Sequence, residues 1–261
     1  MASDPTAASR TLTVAGTEVA RIGLGTNRLR SNEDLHAFLG EAVEAGLGLI
    51  DTAHSYSGGD SERAIGEGLS PKPEGLVVAT KGGYSGSASR EELRAQIDQS
   101  LESLRTDAID LYYLHRIHAE TPLEESLGAI ADYREQGKIR EIGISAVDVE
   151  QVQAARRIVP IAAVQNAYNL ADRTYDDVVD YCEQNGIVFV PYYPLKFDAP
   201  PTLAQIARNH GATPSQVALA WLLRRSPVMP PIPGTTSIDH LRENLGALEI
   251  ELTNGEFEAL G

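Results

Sequence analysis

The chain has 261 residues, which at ~150 residues per domain is fewer than two domains, and it carries 22 Lys and Arg against 37 Asp and Glu. The resulting net charge of -15 repels nucleic acid and anionic membranes, so we expect neither as a partner. A single cysteine, Cys182, excludes an internal disulfide, and the helical pattern around it predicts a half-buried structural thiol. Residues 1–5 carry no export signal, and no apolar run reaches the ~18 residues of a membrane span. We therefore expect one cytoplasmic domain over residues 1–261, acting as a monomer or weak oligomer.

The chain begins with a predicted hairpin and continues as alternating strands and helices. Residues 11–14 and 18–20 flank a turn at 15–17. Eight short apolar runs then predict strands, which cover residues 21–25, 49–51, 76–81, 109–115, 139–145, 161–165, 187–192 and 228–232.

Helical patterns separate these strands, and three of them carry a hydroxyl cap followed three residues later by Glu or Gln. The predicted pairs are Ser89 with Glu92, Thr121 with Glu124, and Thr213 with Gln216. Pro122 and Pro214 are predicted at the first helical position, where a missing N–H costs nothing.

Eight strand-then-helix units in about 250 residues predict an α/β fold of the (β/α)8 TIM barrel type. The initial hairpin precedes the barrel, so we expect it to plug the barrel bottom. An open, doubly wound dinucleotide-binding sheet is the rival, but no Gly-x-Gly-x-x-Gly follows the first strand.

Ionisable residues end three successive predicted strands. Asp51, Lys81 and His115 are the last residues of strands two, three and four, and Tyr56 follows Asp51 in the next loop. Catalytic residues of such barrels gather at these strand ends. A nearby ammonium lowers the pKa of a phenol, and a buried ammonium needs a counter-charge, so Lys81 would assist Tyr56 and Asp51 would neutralise Lys81. The group would protonate an oxygen on which negative charge develops, with His115 orienting a carbonyl.

Each of these residues also has an ordinary structural interpretation. Asp51 would cap a loop, Lys81 would point to solvent, His115 would be a core histidine, and Tyr56 would pack within its loop. Three ionisable residues ending three successive apolar strands favour the functional interpretation.

A phosphate site is predicted after the eighth strand. Residues 233–237 lead into a helix, and barrels commonly bind phosphate at this position through free amides of a helix N-terminus. Ser237 alone is equally an ordinary helix cap.

From about Arg21 to its end, the chain resembles the aldo-keto reductases. The resemblance is carried by the segments 49–53 (LIDTA), 79–81 (ATK), 110–116 (DLYYLHR), 142–145 (IGIS), 164–166 (VQN) and 232–235 (IPGT). It implies a reductase of aldehydes or ketones that uses NADPH, with NADH as the alternative, and no metal. Asp51, Tyr56, Lys81 and His115 occupy the family's catalytic positions, with Tyr56 as the general acid.

The resemblance also implies a cofactor cleft. Ser145 and Gln165 would bind the nicotinamide carboxamide, and Thr26 and Asn27 would border the ring. Tyr192 would stack beneath the ring, although a one-residue shift would put Tyr193 there instead. The remaining positions would line the path of the phosphates and the adenine; they are Pro194, Leu195, Gly234, Thr235, Thr236, Ser237, His240, Glu243 and Asn244.

Several positions depart from the family pattern. Ala146 stands where many members have Asn, His54 where a small or acidic residue is expected, and His240 where an arginine often contacts the 2′-phosphate. The substrate loops are also short, which predicts an open mouth and broad specificity. Its expected wall residues are Tyr84, Arg116, His118 and Lys196.

Three other functions remain open at this point. A regulatory subunit that binds NADPH without catalysis would retain the same residues. A barrel aldolase would use Lys81 as a Schiff base, but this does not explain Gln165 or Tyr192. A metal-dependent barrel hydrolase is disfavoured, because this chain has no His-x-His on its first strand.

Overall fold

The computed structural model describes residues 9–30, 32–197 and 200–261. Residues 1–8, on which the expected lack of an export signal rests, lie outside the described residues, as do two residues of the loop after residue 197. Nine strands are assigned in the described part: β1 Thr11–Val14, β2 Thr17–Ala20, β3 Leu24–Gly25, β4 Leu49–Asp51, β5 Val77–Gly82, β6 Ile109–Leu114, β7 Ile139–Ser145, β8 Ala163–Ala167 and β9 Val188–Tyr192.

Strands β3 to β9 form one parallel sheet in chain order. The predicted eighth barrel strand, residues 228–232, is not a regular strand, because Pro230, Pro231 and Pro233 have no N–H to donate to a ladder. The segment nevertheless closes the barrel. The amide of Gly23 donates to the Pro231 carbonyl at 2.9 Å, and the amide of Ile232 donates to the Pro191 carbonyl at 3.3 Å.

Arg21 holds this proline-rich segment at the barrel bottom. Its guanidinium is fully buried and donates to the carbonyls of Leu223 at 2.8 Å and Ser226 at 2.5 Å. The predicted first strand, 21–25, is shorter in the structure, because Gly23 pairs with the irregular proline-rich segment and only Leu24–Gly25 forms β3.

The predicted plug is confirmed. Strands β1 and β2 pair antiparallel through the turn at Ala15 and Gly16. Val14 and Val19 are buried in the same cluster as the inward side chains of the barrel strands. Gly48 leaves room for this contact, since a Cβ there would lie 2.9 Å from the Val19 Cβ.

The helices of the described residues surround the sheet. Their bounds are α1 Glu33–Glu44, α2 Asp60–Gly68, α3 Arg90–Ser103, α4 Leu123–Glu135, α5 Val149–Arg156, α6 Asp176–Asn185, α7 Pro201–Asn209, α8 Pro214–Arg225, α9 Ile238–Gly246 and α10 Asn254–Leu260, with 3₁₀ turns at Tyr56–Gly59 and Ala247–Glu249. None of them is long and apolar enough to cross a membrane.

The predicted caps are confirmed at α3 and α8. Ser89 accepts from the Glu92 amide, and Thr213 and Gln216 form a reciprocal capping box with Pro214 at the first helical position. The prediction for α4 was wrong by one residue: Pro122 is itself the N-cap. The Thr121 hydroxyl donates instead to the Ser87 carbonyl, across to the loop before α3.

Cys182 lies in α6 and is fully buried, more than the half-burial predicted. Burial raises the pKa of this thiol to about 12, so it is an inert part of the packing between helix and barrel.

Candidate active site

The barrel strands alternate, and every second side chain points inward. On β4 to β6 the inward positions below the mouth are apolar, among them Leu49, Ala79 and Leu111. The next inward residue is Asp51 on β4 and Lys81 on β5. On β6 it is Tyr113, and His115 follows two residues later, just past the end of the strand. The barrel therefore changes from an apolar core to a titratable layer at its carboxyl end.

Lys81 is the centre of this layer and is fully buried. Its Nζ donates to Asp51 Oδ1 at 2.5 Å and to the Thr52 carbonyl at 2.7 Å. It also lies 3.5 Å from the Tyr56 hydroxyl. Three of the four predicted catalytic residues are thus in direct contact.

Tyr56 is positioned by the first turn after β4. Its amide donates to the Ala53 carbonyl at 3.0 Å and begins a 3₁₀ turn in which Ser57 has a φ of 51°. This left-handed residue is unusual for a serine and marks a tightly constrained turn.

The phenol remains protonated at neutral pH. Burial raises the pKa of Tyr56, and Lys81 opposes this effect without cancelling it. The expectation that Lys81 would bring the Tyr56 pKa down is therefore corrected. Lys81 itself stays charged: burial disfavours its ammonium, but Asp51 and Tyr56 raise its pKa. The Tyr56 hydroxyl therefore keeps its proton beside a charged ammonium.

His115 completes the group as a neutral imidazole. Burial, with the charges of Lys81 and Arg116, lowers its pKa to about 3. Its Nδ1 is buried and has no hydrogen-bond partner among the described residues. The ring centroid lies 6.0 Å from that of Tyr56 and 4.7 Å from that of Tyr84, so His115 faces the same opening as the phenol.

Ser145 and Gln165 lie side by side as partners in the β7–β8 pairing. The Gln165 amide donates to Asp51 Oδ2 at 2.7 Å, so this residue also belongs to the Lys81 network, which sequence reasoning did not predict. The buried Ser145 hydroxyl has no hydrogen bond to any residue in the described part of the chain. A carboxamide fits here, because it needs both a donor and an acceptor.

Backbone and side-chain hydrogen bonds hold the loop after Ser145. Ala146 takes a left-handed φ of 57°, and its amide donates to the Gln165 carbonyl at 2.9 Å. Asn166 accepts from the Val147 amide and donates to its carbonyl, which fixes the loop from below.

Tyr192 ends β9 and is half-buried, and its ring meets that of Tyr193 edge-on at 5.1 Å. Tyr193 has a φ of 53° and is 56% exposed. Pro194 is buried and Leu195 half-buried in the turn that follows. This turn lies at the carboxyl end of the barrel, directly after β9.

The predicted phosphate site is the N-terminus of α9. Ser237 caps the helix, and the Thr235 hydroxyl accepts from the Ser237 amide at 3.0 Å. Gly234 and Thr236 are exposed, and Gly234 bridges to Gly25 of β3 across the barrel seam.

The cations at this end are sparse. His240 is exposed on the first turn of α9, and Arg242 lies 3.9 Å from Asp239. The Glu243 carboxylate accepts from the Thr213 hydroxyl at 2.7 Å, and Asn244 is buried. Glu243 is therefore already bound to the start of α8.

Thr26 does not offer its side chain to a ligand. The Thr26 hydroxyl is fully buried, donates to the Asp51 carbonyl at 2.8 Å and accepts from Ser61 at 2.8 Å. It supports Asp51 from behind, whereas its neighbour Asn27 is exposed.

The residues predicted to line the substrate mouth differ in their exposure and their contacts. Tyr84 is 53% exposed above His115, and the Arg116 guanidinium lies over its ring at 5.9 Å. His118 Nε2 is 2.9 Å from the Gly83 carbonyl, which ties it to the loop after β5. Lys196 is exposed beyond Tyr193.

Sequence reasoning missed Tyr113, and it indicated Tyr193 only as the neighbour that a one-residue shift would exchange with Tyr192. Tyr113 lies under the ammonium of Lys81, with Nζ 5.8 Å from the ring centre. It is two residues before His115 on the same strand face, so the period of two was the available signal. Tyr193 breaks this period at a left-handed turn, which local sequence patterns do not predict.

Comparison with known proteins agrees with this geometry. The sequence profile described as the Aldo/keto reductase family matches residues 21–199 and 193–261. The chain is 37% identical to an uncharacterized oxidoreductase of Schizosaccharomyces pombe, over 96% of this chain and 88% of the relative. It is 36% identical to pyridoxine 4-dehydrogenase of Escherichia coli, over 94% and 95%.

A solved aldo/keto reductase from Klebsiella pneumoniae, in complex with NADP and acetate, superposes with a TM-score of 0.89. It is 30% identical, over 97% of this chain and 94% of that chain. The chain belongs to the aldo/keto reductase family and is an oxidoreductase of the alcohol–carbonyl type.

Proposed function

We propose that the chain reduces an aldehyde or ketone to an alcohol with NADPH, and that Tyr56 donates the proton. The observation that carries this proposal is the contact of Lys81 with both Asp51 and Tyr56, at 2.5 and 3.5 Å, at the carboxyl end of the barrel. It combines a protonated phenol with a buried cation that stabilises the phenolate left behind.

The residues of the cleft fit this cofactor. The free hydroxyl of Ser145 and the side-chain carbonyl of Gln165 would hold the carboxamide, and Tyr192 would lie against the nicotinamide ring. The turn at Pro194 and Leu195 and the N-terminus of α9 would receive the phosphates, where amides favour anions. The Klebsiella pneumoniae relative was solved with NADP, which supports the same choice here. Bound NADPH supplies a hydride to the carbonyl carbon.

The chain's own residues handle the oxygen. As negative charge develops on it, the Tyr56 hydroxyl transfers its proton to the oxygen and becomes a phenolate. Lys81 stabilises that phenolate, and Asp51 balances Lys81 in the resting state. His115, neutral throughout, donates a hydrogen bond that orients the carbonyl.

The partners and the cellular location that we propose follow from the net charge, the site residues and the lone cysteine. The net charge of -15 disfavours nucleic acid as a partner, and every proposed site residue comes from one chain, so a monomer or weak oligomer suffices. We assign it to the cytoplasm, where a lone reduced thiol such as Cys182 is ordinary.

A carbonyl panel with NADPH tests the function. Aliphatic, aromatic and sugar aldehydes are included, together with pyridoxal, because one relative is a pyridoxine 4-dehydrogenase. We expect NADPH oxidation with several small aldehydes, because the short substrate loops predict an open mouth. Tight NADPH binding without turnover of any carbonyl would instead indicate a regulatory subunit.

A further inference from the structure

Arg116 occupies a fixed position at the mouth of the barrel. It directly follows His115 and is half-buried. Its guanidinium carbon lies 5.9 Å from the centre of the Tyr84 ring, which itself lies 4.7 Å from the His115 ring. Stacking on an aromatic face holds a guanidinium while leaving its in-plane N–H groups free.

Those N–H groups have no protein partner. Across residues 9–30, 32–197 and 200–261, no side chain or carbonyl forms a hydrogen bond or ion pair with the Arg116 guanidinium. Arg225, by contrast, is also half-buried and pairs with both Asp176 and Asp180. In a chain with 37 acidic residues, a half-buried arginine without a carboxylate is an unmatched charge.

The charged and polar side chains near Arg116 already have partners within the protein. Lys81 is neutralised by Asp51, and His118 contacts the Gly83 carbonyl. Asp172 accepts from both the amide and the hydroxyl of Thr174. Arg116 is therefore the charge beside His115 that remains available to a ligand.

We propose that Arg116 binds an anionic substituent of the carbonyl substrate, so that the enzyme prefers aldehydes and ketones bearing a carboxylate or a similar oxyanion. This deepens the proposed function and rests on it. A guanidinium offers two parallel N–H donors to such a group, a match that an ammonium does not reproduce. Tyr84 and Tyr193, the two large exposed hydrophobic side chains of the described residues, would flank the body of the substrate.

A matched pair of substrates isolates the charge. 4-Formylbenzoate and its methyl ester carry the same aldehyde on the same ring and differ in one negative charge. For the unmodified enzyme, kcat/KM for the acid should exceed that for the ester by ~10-fold or more, mainly through KM, because a charge-assisted contact to a carboxylate is stronger than a neutral one.

Three variants assign the preference to its residue. Arg116→Leu should bring the acid-to-ester ratio of kcat/KM to about one, and Arg116→Lys should restore part of it. Arg157→Leu removes the same charge from an exposed position after α5, at the opposite end of the barrel, and should keep the ratio. Melting temperatures check that each variant is folded.

The outcomes separate this proposal from the proposed function. Reduction of both substrates with a ratio near one in the unmodified enzyme overturns the role of Arg116 and leaves carbonyl reduction intact. A high ratio that survives Arg116→Leu also overturns it and assigns the preference to another cation, such as Lys196. Failure to reduce either aldehyde, or any in the panel, would contradict the proposed function itself.

Discussion

At the residue scale, the site depends on an ion pair that water does not reach. Lys81 and Asp51 are buried together, and Lys81 also supports the Tyr56 phenol. Such a pair contributes little net stability, but removal of one partner leaves an uncompensated buried charge. The chemistry and the fold therefore share the same contact.

Lys81→Met should lower the free energy of unfolding by about 3–5 kcal/mol, because Asp51 would then be buried without a counter-charge. The double variant with Asp51→Asn should recover much of this loss. Urea unfolding measures both. Lys72→Met is the control, since Lys72 pairs with Asp110 at the same 2.5 Å distance but is partly exposed, and it should cost less. Equal losses for Lys72→Met and Lys81→Met would contradict the account.

The neutral His115 makes a prediction about acid stability. Its pKa is about 3 in the folded protein and near 6.5 when unfolded, so the unfolded chain binds the proton first. The stabilisation from neutral His115 is complete above pH 6.5 and is lost as the pH falls toward 3. His115→Gln cannot titrate, so the unmodified protein should lose more unfolding free energy over this range. Parallel curves for the two proteins would show that His115 is not held neutral.

At the scale of elements, the hairpin β1–β2 seals the end of the barrel opposite the site. Val14 and Val19 fill the space below the inward residues of the parallel strands. Because this end holds no candidate site residue, its role is packing alone.

Val19→Ala should therefore cost about 1–3 kcal/mol of unfolding free energy, through lost burial and a residual cavity. Activity at saturating substrate should not change. Glu18→Ala, on the outer face of the same hairpin, should cost little in urea unfolding. A large loss of kcat in Val19→Ala without loss of stability would mean that the plug communicates with the site.

Much of the secondary structure could be predicted from the sequence. Strand positions, the plug and the caps at Ser89 and Thr213 follow from local periodicity and hydrogen bonding, and they are confirmed. The eighth strand was less predictable, because its prolines accept hydrogen bonds without donating them. The α4 cap shifted because Thr121 bonds to a distant loop, a tertiary contact that local rules do not contain.

Within the site, the strand-end residues were predictable and their partners were not. Asp51, Lys81 and His115 follow from alternation along each strand. The bond from Gln165 to Asp51 spans the barrel, and it joins residues 114 positions apart in the chain. The pKa of Tyr56 rises because the effect of burial exceeds that of Lys81. The sequence shows which residues adjoin Tyr56 in the chain, but not how deeply its side chain is buried.

At the scale of the whole molecule, the net charge of -15 bears on the cofactor. NADPH is an anion, and the N-terminus of α9 adds amides but few cations. His240 is exposed, and Arg242 lies within reach of Asp239. The preference for NADPH over NADH should therefore be modest.

His240→Arg should raise the preference for NADPH by about 1.5- to 5-fold, the range that a solvent-exposed ion pair of about 0.2–1 kcal/mol provides. The measurement is the ratio of kcat/KM for the two cofactors at fixed aldehyde. Gln153→Arg adds the same charge on the exposed face of α5 and should leave the ratio unchanged. An unaltered ratio in His240→Arg would place the 2′-phosphate elsewhere.

The proposed reaction requires that the Tyr56 phenol, beside Lys81, donates the proton. Tyr56→Phe removes one oxygen and keeps the ring, so it should lower kcat/KM for every aldehyde by about 10²- to 10⁴-fold, the usual contribution of a general acid. The affinity for NADPH, measured by titration, should be nearly unchanged, because the hydroxyl acts on the substrate. A Tyr56→Phe enzyme that retained most of its rate would contradict the account.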